Sequence, residues 1–150
     1  VFSGRHEHAI DGKGRTSLPS RFREVLAGTG DSRVVLTTGF ERCVVAYPLQ
    51  GWQAFEQKVA QMPEFDEAVI ALRFLYMSSA IEVEIDKLGR LLVPQVLRDH
   101  GDLRRDVVWA GVGNHIQLWD KGRYAATRDA LLADPDKRKA LMKRLAELGL

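Results

Sequence analysis

The sequence predicts an α+β protein with a mainly β core, made of two tandem copies of one small unit. Three observations carry this expectation. First, the pentapeptide Asp-x-x-Gly-Arg occurs twice, as Asp11-Gly12-Lys13-Gly14-Arg15 and as Asp86-Lys87-Leu88-Gly89-Arg90. Second, its flanks repeat with it: Ile10 with Ile85, Leu18 with Val93, Pro19 with Pro94, Phe22 with Leu97 and Arg23 with Arg98, always 75 residues apart. Third, each copy holds only a few short apolar runs between turn residues, too little to bury a core by itself. Two copies are therefore expected to pair with pseudo-twofold symmetry around one shared core.

The elements follow in order. Arg5 to Ile10 alternates like a strand, and Asp11-Gly12 is a hairpin turn signal. Thr16-Ser17-Leu18 returns as a strand. Pro19 suits the first turn of a helix, because its φ is fixed and its missing N–H has no role there. Ser20 to Leu26 fills that helix, and Gly28-Thr29-Gly30 closes it. Val34 to Thr38 and Val44 to Tyr47 read as strands joined by a turn over Gly39 to Arg42, with Pro48 ending the second. From Leu49 the period becomes helical: Leu49, Trp52, Phe55, Val59 and Met62 fall on one face. Phe65, Val69, Leu72 and Tyr76 describe a second amphipathic helix beyond Met62-Pro63. The second copy replays the plan. Ile81 to Ile85 and Leu91 to Val93 are strands, Pro94 opens a helix to about His100, and Val107 to Trp109 and Ile116 to Trp119 are strands around a turn at Gly111 to Asn114. A helix follows from Lys121, and a last one follows Asp134-Pro135, with Leu141, Leu145 and Leu148 on a face expected to pack on a neighbour. The expected division is 5–51 for the first unit, 52–79 for connecting helices, 80–122 for the second unit and 123–150 for C-terminal helices.

Composition bounds the function. The chain has 150 residues, 45% hydrophobic and 28% charged, ordinary for a soluble globular protein. No apolar run reaches the length of a membrane span, and residues 1–6 lack the apolar core of a signal peptide. The single cysteine, Cys43, excludes an internal disulfide and fits a reducing cytoplasm; beside Val44 and Val45 it reads as a small core residue. Trp52, Trp109, Trp119 and Tyr47 read as core anchors. Net charge is only +2, but it is unevenly spread, with Arg5, Lys13, Arg15, Arg21 and Arg23 against few acids near the start. Of the 22 basic residues 15 are arginine, the side chain that holds phosphate and guanine bidentately.

Within each Asp-x-x-Gly-Arg turn the roles separate. Asp11 and Asp86 accept backbone N–H groups and tighten the turn, while Gly14 and Gly89 supply positive φ. An Asp–Arg pair pinning the turn is worth only about 0–1 kcal/mol at a surface, which explains one copy but less easily why both halves keep the arginine. An enzyme is not indicated. There is no phosphate loop, no nucleophile elbow and no cysteine–histidine pair. His6 and His8 share one strand face, but no further ligand follows at metal spacing, so they read as surface histidines; no metal or other cofactor is expected.

These residues resemble the MraZ family of bacterial transcriptional regulators, within the AbrB-like swapped-hairpin superfamily. The carriers are the two turns, each followed by a Pro-headed helix (Leu18-Pro19-Ser20-Arg21-Phe22-Arg23 and Val93-Pro94-Gln95-Val96-Leu97-Arg98). Tyr47-Pro48-Leu49 with Trp52, and Gly111-Val112-Gly113-Asn114 leading to Leu118-Trp119-Asp120-Lys121, add to them. The resemblance implies an interleaved, pseudo-dimeric β-barrel with flanking helices and a ring-shaped homo-oligomer. It implies a cytoplasmic, nucleoid-associated repressor that binds short direct repeats in double-stranded DNA upstream of the division and cell-wall gene cluster, its own operon included. Carried onto this chain, the DNA contacts are Arg15 and Arg90; charge and position add Lys13, Lys87, Arg5 and Arg21. The competing expectation is an oligomeric structural or protein-interaction scaffold without specific DNA binding.

Overall fold

The computed structural model describes residues 1–150 and separates them into two compact units, Val1–Asp120 and Lys121–Leu150. The first unit carries all eight strands: β1 (Arg5–Ala9), β2 (Arg15–Ser17), β3 (Arg33–Thr37), β4 (Val44–Pro48), β5 (Ile81–Glu84), β6 (Arg90–Leu92), β7 (Asp106–Gly111) and β8 (Ile116–Asp120). Its helices are α1 (Ser20–Ala27), α2 (Leu49–Ala60), α3 (Glu67–Leu72) and α4 (Gln95–Gly101), and α3 runs into a π-helical turn at Arg73–Met77. The expected elements are present, and Pro19, Pro48 and Pro94 each stand immediately before a helix.

Strand pairing shows how the copies combine. Six strands form an antiparallel sheet in the order β1-β7-β8-β4-β3-β5, and β2 pairs with β6 in a separate two-stranded ribbon. Exchanging the copies maps β1 on β5, β3 on β7 and β4 on β8, and reverses the sheet order onto itself. The pseudo-twofold axis therefore passes between β8 and β4. The first strand of each copy leaves its own copy: β1 pairs with β7, and β5 pairs with β3. The local hairpin expected across Asp11-Gly12 is correspondingly reduced to a single bridge, Ile10 to Thr16. Short strands gain more by joining a large sheet than by pairing as an isolated hairpin, which is marginal in water. The large sheet is open, with β1 and β5 as edges.

One core lies between the sheet, the ribbon and the Pro-headed helices. Equivalent residues of the two copies meet in it: Leu18 with Val93, Phe22 with Leu97, Val34 with Val107, and Leu36 with Trp109 are all buried. Thr16 is buried as well, its hydroxyl donating to the Ala9 carbonyl at 2.8 Å. Trp52, Trp109, Trp119 and Tyr47 are buried, as expected of core anchors. Tyr47 stacks on His115 at 4.8 Å and meets Trp52 and Phe55 at 5.6 Å each. Cys43 is buried, and desolvation pushes its thiol up to about 12, so it is an inert core residue.

Three expectations are corrected. Phe65 precedes α3 and is 87% exposed, so the face beyond Met62-Pro63 is built on Val69 alone among its buried positions. After Leu72 the helix is π-helical rather than α-helical, although Tyr76 still packs on Phe55 at 5.2 Å. His6 is not a free surface histidine: its ring packs edge-on against Phe22 at 5.2 Å. In the second compact unit, α5 (Lys121–Ala133) and α6 (Pro135–Glu147) meet at Asp134, whose carboxylate caps α6 through the Lys137 N–H at 3.0 Å. No residue of these two helices is buried, and Leu141 and Leu145 remain nearly half exposed.

Phe22 is fully buried under the sheet. Phe22→Ala is expected to cost about 3–5 kcal/mol, read as a fall in the urea midpoint with an unchanged denaturant slope. A loss below about 1 kcal/mol contradicts a single shared core.

Candidate nucleic-acid interface

The two Asp-x-x-Gly-Arg turns have the same geometry. In the first, Asp11 Oδ1 accepts the N–H groups of Lys13 and Arg15, each at 2.9 Å, and Asp11 Oδ2 accepts Arg15 Nε at 2.9 Å. Two backbone bonds close the loop: Gly14 N–H to Asp11 O and Asp11 N–H to Arg15 O, both at 3.0 Å. In the second, Asp86 Oδ1 accepts Leu88 N–H and Arg90 N–H at 2.9 Å, and Asp86 Oδ2 accepts Arg90 Nε at 3.0 Å. Gly14 and Gly89 have φ of 93° and 77°, a conformation that a side chain strains.

The arginines are held rather than left loose. Each carboxylate engages only Nε, so both Nη groups remain for an outside partner, and the guanidinium is pre-aimed. The carboxylates respond in turn. The Arg15 N–H, with the Arg15 side chain and the Lys13 N–H, holds Asp11 at about 2 against an ordinary 3.8. The Arg90 N–H leads the same downward shift for Asp86.

Each turn also rests on the other copy. Gly14 O accepts Val93 N–H at 2.7 Å, and Gly89 O accepts Leu18 N–H at 2.9 Å. Arg98, from α4, donates through Nε to Val93 O at 3.0 Å and through Nη1 to Gly12 O at 3.4 Å. A Cβ on Gly14 would stand 2.6 Å from both Arg98 Nε and Val93 O; one on Gly89 would stand 2.7 Å from Arg23 Cδ and Cζ. Both glycines are demanded by φ; at Gly14 a Cβ would also meet the Val93 carbonyl, whereas at Gly89 it would meet only the flexible Arg23 side chain. Arg23 and Arg98 are the residues that reading the motif missed, although they recur at the same separation of 75.

The ribbon brings the two turn arginines together. Arg15 lies opposite Leu92, Thr16 opposite Leu91 and Ser17 opposite Arg90. Thr16 and Leu91 point into the core, so Arg15, Ser17, Arg90 and Leu92 share the outer face. Arg15 and Arg90 are diagonal neighbours, about 7–8 Å apart at the backbone. Lys13 and Lys87 are exposed in the turns beside them. Arg5 and Arg21 are not brought to this face. Arg5 begins β1, at the end of that strand away from the turn, roughly 17–20 Å along it. Arg21 lines a recess with Phe2 and Ser3. It stands two residues before Arg23 and hence about 200° around the helix from the side that meets Gly89.

Fold and site define a class: a tandemly duplicated, strand-swapped α+β protein that carries two braced arginine turns on one exposed ribbon. A family model described as "MraZ protein, putative antitoxin-like" matches residues 1–74 and 76–143. The chain belongs to the MraZ family. It is 37% identical over 148 residues to a protein of Thermomicrobium roseum, covering 99% of both chains. It is 40% identical to one from Acetivibrio thermocellus, covering 83% of this chain and 84% of that one. It is 44% identical to one from an Anaeromyxobacter species, covering 83% and 86%. All three relatives are named transcriptional regulator MraZ, a regulator's name and not an enzyme's. No helix is long and apolar enough to cross a membrane.

Because Asp11 is depressed, its contribution is complete above 3.8 and is lost as pH falls through about 2. A carbon-detected NMR titration of the Asp11 carboxyl is expected to centre near 2, with the Arg15 amide signal shifting over the same range; a midpoint at the ordinary value contradicts the geometry. Gly14→Ala is expected to cost at least about 1 kcal/mol from backbone strain alone, measured by urea unfolding.

Proposed function

We propose that the chain is a sequence-specific, DNA-binding transcriptional regulator whose reading element is the β2–β6 ribbon. The observation that carries this is the outward pairing of Arg15 and Arg90 on a ribbon narrow enough for a major groove, which is about 12 Å wide. Their spacing corresponds to about two base-pair steps. Free Nη groups on a carboxylate-steadied guanidinium suit bidentate donation to guanine, which discriminates by about 1–3 kcal/mol. Lys13 and Lys87, on the loops beside them, are placed to meet flanking phosphates. Arg5 and Arg21 contribute at most to the general field.

Net charge of +2 gives a single copy little hold on DNA. Several copies on repeated sites overcome this, because effective concentration raises avidity by roughly 10²–10⁴ without new contacts. We therefore infer a ring-shaped homo-oligomer on short direct repeats, acting as a nucleoid-associated repressor of a division and cell-wall gene cluster that includes its own gene. The strand-swapped halves, 5–51 and 80–122, are the two hairpin units of this reading. In this reading the ribbon serves as the last wall of a barrel over the open sheet, and 52–79 and 123–150 are helical additions. Exposed Leu141 and Leu145 favour the second reading, an oligomeric scaffold that does not bind DNA specifically.

A gel shift with DNA from upstream of the gene decides between them. The wild type is expected to prefer that DNA over unrelated duplex and to weaken steeply with salt. Arg15→Ala combined with Arg90→Ala is expected to abolish the preference with the fold intact by circular dichroism. Deleting repeats one at a time should reduce affinity progressively; equal affinity for one repeat and for the array contradicts the avidity mechanism. Unchanged specific binding by the double variant rejects these two arginines.

A further inference from the structure

The pseudo-twofold axis relates the two halves of the ribbon, but the side chains on its outer face do not obey it. At the separation of 75 residues, Lys13 corresponds to Leu88 and Ser17 to Leu92; away from the ribbon, Arg21 of α1 corresponds to Val96 of α4. The backbone at these places is equivalent: the Lys13 and Leu88 N–H groups make the same 2.9 Å bond to their aspartates, and Ser17 and Leu92 occupy matching ladder positions. All three apolar members are exposed, Leu88 at 69%, Leu92 at 51% and Val96 at 65%. Each of these three polar residues of the first copy is thus replaced in the second by an aliphatic one that the fold leaves in solvent. Burial within the chain does not explain them.

Resting on the reading of the ribbon as the DNA-binding element, we propose that the two copies read DNA by different chemistry: Leu92 is a specificity residue that contacts the C5-methyl of a thymine next to the bases addressed by Arg15 and Arg90. Leu92 stands directly opposite Arg15, with side chains about 5 Å apart. Whatever covers Leu92 therefore covers Arg15 as well. An apolar face of another chain would satisfy the leucine but would strip water from two guanidinium groups whose Nη donors need partners. A major groove satisfies both, since it offers guanine acceptors to arginine and thymine methyl groups to apolar side chains. Ser17, at the matching position, offers a hydroxyl instead. A protein whose backbone is two-fold therefore reads an asymmetric site. The asymmetry fixes the direction in which each chain lies on the duplex, which is what head-to-tail repeats require and an inverted repeat does not.

The test uses the full chain and the upstream DNA fragment, with each thymine replaced singly by uracil. Uracil keeps the pairing edge and removes only the methyl. In the wild type, uracil on one side of each site's centre is expected to weaken binding about three- to fourfold, the effect of one buried methyl group. Leu92→Ser is expected to lose that sensitivity while still depending on the guanines. Ser17→Leu is expected to gain sensitivity at the mirrored position. Leu92 is exposed, so thermal melting of both variants should match the wild type. Three results overturn the proposal: a wild type indifferent to every uracil, a uracil map symmetric about the centre, or an unaltered map in Leu92→Ser. A changed assembly mass by light scattering in Leu92→Ser, with the uracil map unaltered, assigns the leucine to chain–chain contact and also overturns it. A wild type with no preference for the upstream DNA defeats the DNA-binding reading itself, whereas specific binding that ignores uracil defeats only this one.

Discussion

The structure depends on a reciprocal brace. Each Asp-x-x-Gly-Arg turn is tied internally by one carboxylate, but its glycine carbonyl accepts an N–H from the other copy and its glycine face lies under the other copy's arginine. Neither turn is complete without the partner half. The same exchange recurs in the sheet, where β1 and β5 each leave their own copy to pair with the other. Local bonds define the shape of a turn; non-local ones define where the two turns stand relative to each other. In the proposed reading the second matters for recognition, since two arginines on one ribbon address bases about two steps apart only if their separation is fixed.

This division of labour explains why an Asp–Arg pair of small energetic worth recurs in both copies. At the surface such a pair contributes at most about 1 kcal/mol to stability. Its effect here is to hold Nε and turn both Nη groups outward, lowering the entropy lost on binding. Duplication within one chain adds something a homodimer lacks. The backbone keeps its pseudo-symmetry while the outer residues diverge, so Lys13 has Leu88 as its equivalent and Ser17 has Leu92. The core pairs, Leu18 with Val93 and Phe22 with Leu97, stay apolar because both pack into one interior.

Much of this was legible in the sequence. The separation of 75 residues announced the duplication, the apolar runs marked the strands, and the prolines marked the helix starts. Strand partners were not legible in the residues themselves; only the family resemblance implied that the copies interleave. Asp11-Gly12 reads as a local hairpin turn, and alternation says which face of a strand is buried but not which strand lies beside it. Swapping keeps the same faces buried while changing every neighbour. The π-helical turn after Leu72 was hidden because the step from Leu72 to Tyr76 keeps ordinary helical spacing. In the site, the turn residues declared themselves by their motif. Arg23 and Arg98 did not, since an arginine on a short helix looks like solvated surface until the glycine of the opposite turn is seen beneath it. Arg5 and Arg21 were drawn in by charge and by position in the chain, and neither says which face a residue occupies.

The most direct test of the brace is amide hydrogen exchange in Arg98→Ala, resolved residue by residue. Arg98 belongs to the second copy but donates to Gly12 O, in the turn of the first. The expected result is faster exchange at Asp11 and Gly14, whose N–H groups close the first turn, with Asp86 and Gly89 keeping their wild-type protection. Faster exchange in the second turn alone, or no change in either, would contradict bracing across the copies.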